Sequence, residues 1–264
     1  MTEVKPLFDP VAYVRDIEAL AKEGGWTVRH LSPVHHFTRP WLQRAAHTST
    51  APAPAVYLSA GIHGDEIAGP IAVLEMLRRP GFFDDFDTTI FPILNPHGLS
   101  VNQRFNAAGL DLNRDYREPK SPEITSHLEV LRTLGHFDAA VYLHEDFEGI
   151  GAYLYELNES LDPDLGAKIM TAMGRHVPID LRPEIEEVPA TGGIINRSNL
   201  VAKLGPIEDR PEWPEAIYLR VRHEARASYT TETPMPFPLP DRVNAQIAAV
   251  EAVLLALRLE KQAA

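Results

Sequence analysis

The stretch Ala55-Val56-Tyr57-Leu58-Ser59-Ala60-Gly61-Ile62-His63-Gly64-Asp65-Glu66 decides the fold, because an apolar strand runs straight into a glycine-flanked histidine and carboxylate. Ala55 to Ala60 has the unbroken apolar character of a buried strand, and Ile67 to Arg79 carries helical spacing. In an open α/β sheet a strand-to-helix turn is where ligands sit, outside the carboxyl ends of the strands. Gly61 and Gly64 suit a tight turn that needs positive φ or a close backbone approach. His63 and Glu66 can grip one metal ion together, and imidazole with carboxylate is a usual donor set of catalytic zinc, which keeps a position open for water. Taken alone, His-x-x-Glu also occurs in solvated loops, so the rest of the chain has to decide.

Outward from this turn, strands alternate with helices. Asp9-Pro10 opens a helix to Lys22, with Asp as cap, Pro at the first helical position and Gly24-Gly25 as its stop. Ser121-Pro122 opens another that closes near Gly135, and Asp162-Pro163 opens one running to about Arg175. Strands are expected at Val56 to Ser59, Thr88 to Leu94, Ala139 to Leu143, Ala152 to Leu157, Ala216 to Arg222 and Ser228 to Thr231. Leu239 to Leu259 reads as a closing helix with its apolar stripe on Val243, Ile247, Val250, Val253, Leu254 and Leu257. The alternation predicts an α/β fold with a largely parallel sheet, in one domain over residues 1–264. Residues 179–214, rich in Pro and Glu, form a loop excursion or lid in this reading. Pro234 to Pro240 reads as a rigid extended linker.

Composition sets the limits. A chain of 264 residues, 44% hydrophobic and 23% charged, is ordinary for a soluble globular protein. Its formal net charge of -12 argues against a general nucleic-acid or anionic-membrane binder. Without cysteine there is no disulfide framework and no thiolate site, so any metal must rest on His, Asp and Glu. The start, Met1-Thr2-Glu3-Val4-Lys5-Pro6, lacks a basic segment followed by an apolar core, and no run approaches the roughly 20 apolar residues of a membrane span. Cytoplasmic residence is the expectation; oligomeric state is not legible.

Further segments carry candidate chemistry. Asn95-Pro96-His97-Gly98, Arg104 and Asp111-Leu112-Asn113-Arg114 place amide and guanidinium donors in one turn-rich region. Arg114 with Asn113 can hold an anionic substrate end, and Arg104 can polarise a carbonyl; the competing use is capping loops and pairing with surface acids. Val141-Tyr142-Leu143-His144-Glu145-Asp146 is a second apolar strand ending in histidine, so His144 would complete a His-Glu-His set with His63 and Glu66. In Ser228-Tyr229-Thr230-Thr231-Glu232-Thr233-Pro234, Glu232 ends a β-branched strand and is free to move a proton. His223-Glu224 is the competitor, since Glu224 could replace Glu232. His35-His36 reads as a surface pair, and Asp65 as a contact behind the ligands or a partner of Arg104.

In this order the motifs resemble the zinc carboxypeptidases, peptidase family M14, whose superfamily includes succinylglutamate desuccinylase and aspartoacylase. The likeness spans roughly Val56 to Pro234, and Asp-Leu-Asn-Arg is its most specific part. The resemblance implies one zinc ion on His63, Glu66 and His144, Glu232 as general base, Arg104 at the oxyanion, and Asn113 and Arg114 on the substrate carboxylate. It implies a three-layer α/β/α sandwich around a mixed sheet of about eight strands. The activity implied is hydrolysis of an amide next to a free carboxylate, with a small peptide as substrate, or an N-acyl amino acid if the chain is a deacylase; a binding module without turnover is the third alternative. The sequence departs from the family at His97, at Asp115-Tyr116 and at Glu145-Asp146, an acidic pair that would either orient a ligand or favour a basic substrate group. No catalytic tyrosine is placed, Tyr218 and Tyr229 being the candidates.

Overall fold

The computed structural model describes residues 8–47, 52–158, 161–197 and 210–263. Its helices are α1 (Pro10–Glu23), α2 (Ala68–Leu77), α3 (Pro96–Val101), α4 (Pro122–Leu131), α5 (Leu165–Met173), α6 (Glu215–Arg222) and α7 (Leu239–Ala263). Its strands are β1 (Thr27–Val34), β2 (Phe37–Arg44), β3 (Ala55–Ala60), β4 (Asp87–Phe91), β5 (Ala139–Asp146), β6 (Tyr153–Asn158), β7 (Glu184–Ile185), β8 (Val188–Pro189), β9 (Ile194–Asn196) and β10 (Ala227–Pro234). Eight of these strands form one sheet in the order β1-β2-β4-β3-β5-β10-β6-β9. The pairs β3–β4, β3–β5, β5–β10 and β6–β9 are parallel; β1–β2, β2–β4 and β6–β10 are antiparallel.

Helices cover both faces, as a sheet buried on both sides requires. The apolar faces of α1, α2, α5 and α7 share one core with Val56, Leu58, Val141 and Leu143. On the other face Ile124, Leu128 and Leu131 of α4 and Ile217 and Leu219 of α6 pack with Tyr57 and Tyr142. This is the expected three-layer α/β/α sandwich around a mixed sheet.

Topology positions the site. From β3 the chain crosses through α2 to β4 on one side, then through α4 to β5 on the other. Right-handed crossovers in opposite directions put α2 and α4 on opposite faces, which opens a crevice between the carboxyl ends of β3 and β5. His63 and His144 lie at those ends.

The capping signals hold where they are local. Asp9 accepts from Val11 N and Ala12 N at 3.0 and 3.1 Å, and Ser121 accepts from Ile124 N at 3.2 Å. The helix expected from Asp162 begins slightly later, at Leu165, with Asp164 at its cap. Pro234 and Pro240 belong to β10 and α7, so the proline-rich linker shrinks to a short turn.

Residues 216–222 correct the reading: they form helix α6, not a strand. The run is too short for periodicity to separate the two. Its helical start is fixed by Asn113 Oδ1, which accepts from Glu215 N at 2.9 Å across 102 positions of chain. The hairpin β1–β2, with His35-His36 as its exposed turn, is absent from the sequence reading because Pro33 and Pro40 argue against strands. Pro33 falls at a register shift of the edge strand, and Pro40 lies beyond Leu42–Arg44, where β2 pairs with β4.

Within 179–214, β7 and β8 make a small hairpin and β9 joins the main sheet beside β6; positions 198–209 of the expected excursion lie outside the described residues. The hairpin turn is Glu186-Glu187, with φ of 51° and 58°. Left-handed backbone costs a side-chain-bearing residue about 1 kcal/mol or more, and two-residue turns of this kind favour Asn-Gly. Glu187→Gly is therefore expected to raise the unfolding free energy by about 1 kcal/mol, read as a higher urea midpoint at unchanged slope. No helix among the described residues is long and apolar enough to cross a membrane.

Candidate metal centre and substrate cavity

Beyond β3, Gly61 turns the chain with φ of 64°, and Gly64 passes so close to the α3 segment that a Cβ there would lie 2.0 Å from the Gly98 carbonyl carbon. Both glycines are thus demanded by the turn that delivers His63. Glu66 follows just before α2. His144 comes from β5, where alternation sends Tyr142 and His144 to the cavity side and Val141 and Leu143 to the opposite core.

The three side chains converge. His63 Nδ1 stands 2.6 Å from Glu66 Oε1, His144 Nδ1 stands 2.9 Å from Glu66 Oε2, and the two Nδ1 atoms are 3.3 Å apart. All three residues are buried. On its far side His63 Nε2 lies 3.2 Å from Asp111 Oδ1, and that carboxylate fixes Nε2 as the protonated nitrogen. The Nδ1 lone pair of a neutral His63 then faces a carboxylate oxygen, a repulsive contact unless a second proton or a cation lies between them. A tetrahedral ion with bonds of about 2.0 Å has ligand atoms about 3.3 Å apart, the spacing of the two imidazole nitrogens here. His63, Glu66 and His144 form a group able to hold a metal ion.

Electrostatics point the same way. Burial would raise the Glu66 carboxyl, but the His63 and His144 imidazoles outweigh it and hold it well below the usual carboxylate range. Asp111 is depressed too: burial opposes this, and the bond and charge of His63 with the charges of Arg104 and Arg114 prevail.

Arg104, Asn113 and Arg114 surround the centre. Arg104 Nε and Nη2 donate to Asp111 Oδ2 at 3.2 and 3.0 Å, while Nη1 sits 3.6 Å from Glu66 Oε1. Asn113 Oδ1 accepts from Glu215 N, and Arg114 Nη1 donates to the Asn113 backbone carbonyl oxygen at 2.9 Å. All three line one cavity of about 370 Å³ with His63, Glu66, His144 and Glu232. Glu232 is the register partner of His144 on the neighbouring strand β10, so both side chains emerge on the same face. Burial raises its pKa, with the Glu66 and Asp146 charges adding and His144 opposing.

Some expectations are corrected. Glu145 turns away from the metal group: it accepts from Ala68 N at 2.7 Å, at the start of α2, and pairs with Arg242 of α7. Asp146 accepts from Tyr153 OH at 3.1 Å and lines the cavity. Asp65 does not bond Arg104, whose partners are Asp111 and Glu66, and its Oδ1 is buried without a hydrogen-bond partner among the described residues. Glu224 is exposed past the end of α6, outside the cavity lining. Tyr218 and Tyr229 are buried outside the cavity, and besides Tyr142 the tyrosines lining it are Tyr153 and Tyr155, the latter under Arg197 with 4.0 Å from guanidinium to ring. Those three and Asp111 escaped the sequence reading, although Asp111 stood in the motif that carried it.

Glu215 was missed as well. Its carboxylate accepts from Tyr57 OH and, at 2.9 Å, from Ser59 Oγ, tying the start of α6 to β3. Burial pushes its pKa up to about 7 against the pull of those two bonds. An unfolded glutamate titrates near 4.3, so between about pH 4.5 and 7 the folded chain keeps a proton that the unfolded chain has released. Stability therefore falls as pH rises through that window, at about 1.4 kcal/mol per unit. Relative to the wild type, Glu215→Gln is expected to gain about 3 kcal/mol between pH 4.5 and 7.5 in urea unfolding; parallel profiles would refute the assignment.

With fold and site in view, the chain can be set beside known proteins. Residues 52–180 match the family model of the succinylglutamate desuccinylase/aspartoacylase catalytic domain. Among solved structures, a provisionally assigned metallopeptidase of Shewanella denitrificans superposes with TM-score 0.77 at 25% identity, covering 93% of this chain and 89% of that one. One of Shewanella baltica gives 0.77 at 26% identity, over 95% and 92%. A metallo-carboxypeptidase of Pseudomonas aeruginosa, in complex with (2-guanidinoethylmercapto)succinic acid, shares the fold with TM-score 0.63 at 19% identity, over 95% and 70%. No curated protein matches. These likenesses support a place for the chain beside the succinylglutamate desuccinylase/aspartoacylase catalytic domain and the metallopeptidases that share its fold, a superfamily of hydrolases.

Proposed function

We propose that this protein is a zinc-dependent hydrolase, most simply a metallocarboxypeptidase, that cleaves an amide bond adjacent to a free carboxylate in a small substrate. The observation that carries this reading is the convergence of three buried donors, His63, Glu66 and His144, in one cavity with Arg104, Arg114 and Glu232. One zinc ion on those donors would polarise the scissile carbonyl and acidify water.

The chain's own side chains do the rest. Arg114 and the Asn113 amide nitrogen hold the substrate carboxylate, and Asn113 is oriented for this by its bond to Glu215 N. Arg104, braced on Asp111, offers Nη1 to the oxygen that gains charge. Glu232 takes the proton from the attacking water and returns it to the departing nitrogen, a task that suits a carboxylate whose pKa is raised by burial. Asp111 keeps His63 in the tautomer with Nδ1 free.

A second reading, an N-acyl amino acid deacylase, is favoured by the family match over residues 52–180. Substrate pairs separate the two. A carboxypeptidase cleaves a short peptide with a free C-terminus and fails on its C-terminal amide; a deacylase cleaves N-succinyl or N-acetyl amino acids and leaves the peptide intact. Hydrolysis of the amide-blocked peptide at an undiminished rate would sink both, since each requires the carboxylate at Arg114.

A further inference from the structure

The opposite end of α6 borders a second depression, of about 610 Å³, on the α4 face of the molecule. Arg117, Arg132 and Arg222 line it, and Glu118 is the one carboxylate among its lining residues. With 37 acidic and 25 basic residues, the chain holds more than one acid for every guanidinium group. Here none of the three has a carboxylate at ion-pair distance among the described residues: Arg117 donates to the Arg210 carbonyl, and Arg222 lies 6.0 Å over the Trp213 ring.

The floor supplies an independent signal. His223 is 6% exposed, and its Nδ1 lies 3.1 Å from the Gly135 carbonyl oxygen, so Nδ1 carries the proton and donates. Its Nε2 is buried with no hydrogen-bond partner among the described residues. A buried ring nitrogen without a partner is costly, and this one belongs to a residue that lines the depression. Trp213 and Tyr218 give the same depression an apolar wall.

We propose that this depression is a binding site for a small phosphomonoester, whose phosphate is held by Arg117, Arg132 and Arg222 and a hydroxyl of whose organic part donates to His223 Nε2. Three planar forks match a dianion with three terminal oxygens better than a monocarboxylate with two. The organic part of the ester lies against Trp213 and Tyr218. The site is separate from the catalytic cavity and does not depend on the hydrolytic reading, because its readout is binding alone.

The test is calorimetric titration of the full-length, metal-loaded protein with inorganic phosphate, adenosine 5′-monophosphate and adenosine. Adenosine monophosphate is expected to bind with one site per chain, inorganic phosphate more weakly, and adenosine not at all. Arg132→Ala with Arg222→Ala, both exposed side chains, should weaken the monophosphate at least tenfold, His223→Gln severalfold, and Arg114→Ala in the catalytic cavity not at all. Equal affinity of phosphate and monophosphate would leave the site to the free ion and overturn the ester. No binding of either anion at millimolar concentration, or loss of binding in Arg114→Ala with none in the groove variants, overturns the site itself.

Discussion

Glu232→Gln is expected to lower kcat on the amide substrate by a factor of about 10²–10⁴, with KM and metal content within twofold of the wild type. The substitution keeps the volume and one acceptor oxygen but removes the group that can exchange a proton. Glu232 is not part of the His63–Glu66–His144 group, so zinc content measured by elemental analysis should not change. Its place beside His144 in the β5–β10 register directs it into the cavity, and burial favours its protonated form. The two effects together suit a residue that both accepts and returns a proton near neutral pH. Full zinc occupancy with undiminished turnover in the variant would remove Glu232 from the reaction.

Stripping the metal is expected to abolish turnover and to lower Tm by on the order of 10 °C, both restored by adding zinc. A ligand present at 1,000 times its dissociation constant stabilises the folded state by about 4 kcal/mol, and each kcal/mol moves Tm by about 2–4 °C in a chain of this size. Without a cation, His63 Nδ1 and Glu66 Oε1 at 2.6 Å need a second proton on the imidazole to avoid opposed lone pairs. The control is His63→Ala, whose Tm should no longer respond to chelator. A wild-type Tm indifferent to chelator, in protein that contains no metal on isolation, would contradict the proposed centre.

What was legible in the chain were features whose cause is local. The apolar run of β3, the Asp9 and Ser121 caps and the stripe of α7 each follow from residues within a few positions. Gly61 and Gly64 could be read as turn glycines because positive φ and close approach are demands that few other residues meet. The candidate ligands were legible because histidines and acids at strand ends have few structural uses that leave them together.

Features decided at a distance were not. Helix α6 shows why: its residues suit a strand or a helix, and the choice falls to tertiary contacts, among them a core against Ile217 and Leu219 and an amide 102 positions away. Glu145 looked like a neighbour of the site because it follows His144, yet strand alternation sends its carboxylate to α2 and Arg242. The β1–β2 hairpin was hidden by prolines that the fold accommodates, Pro33 at a register shift of the edge strand and Pro40 on the part of β2 that β4 leaves unpaired. Asp111 was visible as a motif residue, but its bond to His63 needs the fold.

The sequence by itself therefore determined the α/β alternation, the turn that delivers His63 and the candidate donors, because hydrophobic period, glycine geometry and ligand chemistry are carried by neighbouring residues. Only the tertiary structure decided that crossovers in opposite directions open a crevice between β3 and β5, which sets two imidazole nitrogens 3.3 Å apart over one carboxylate. Spacing in the chain limits which atoms can meet; the order of strands in the sheet selects which of them do.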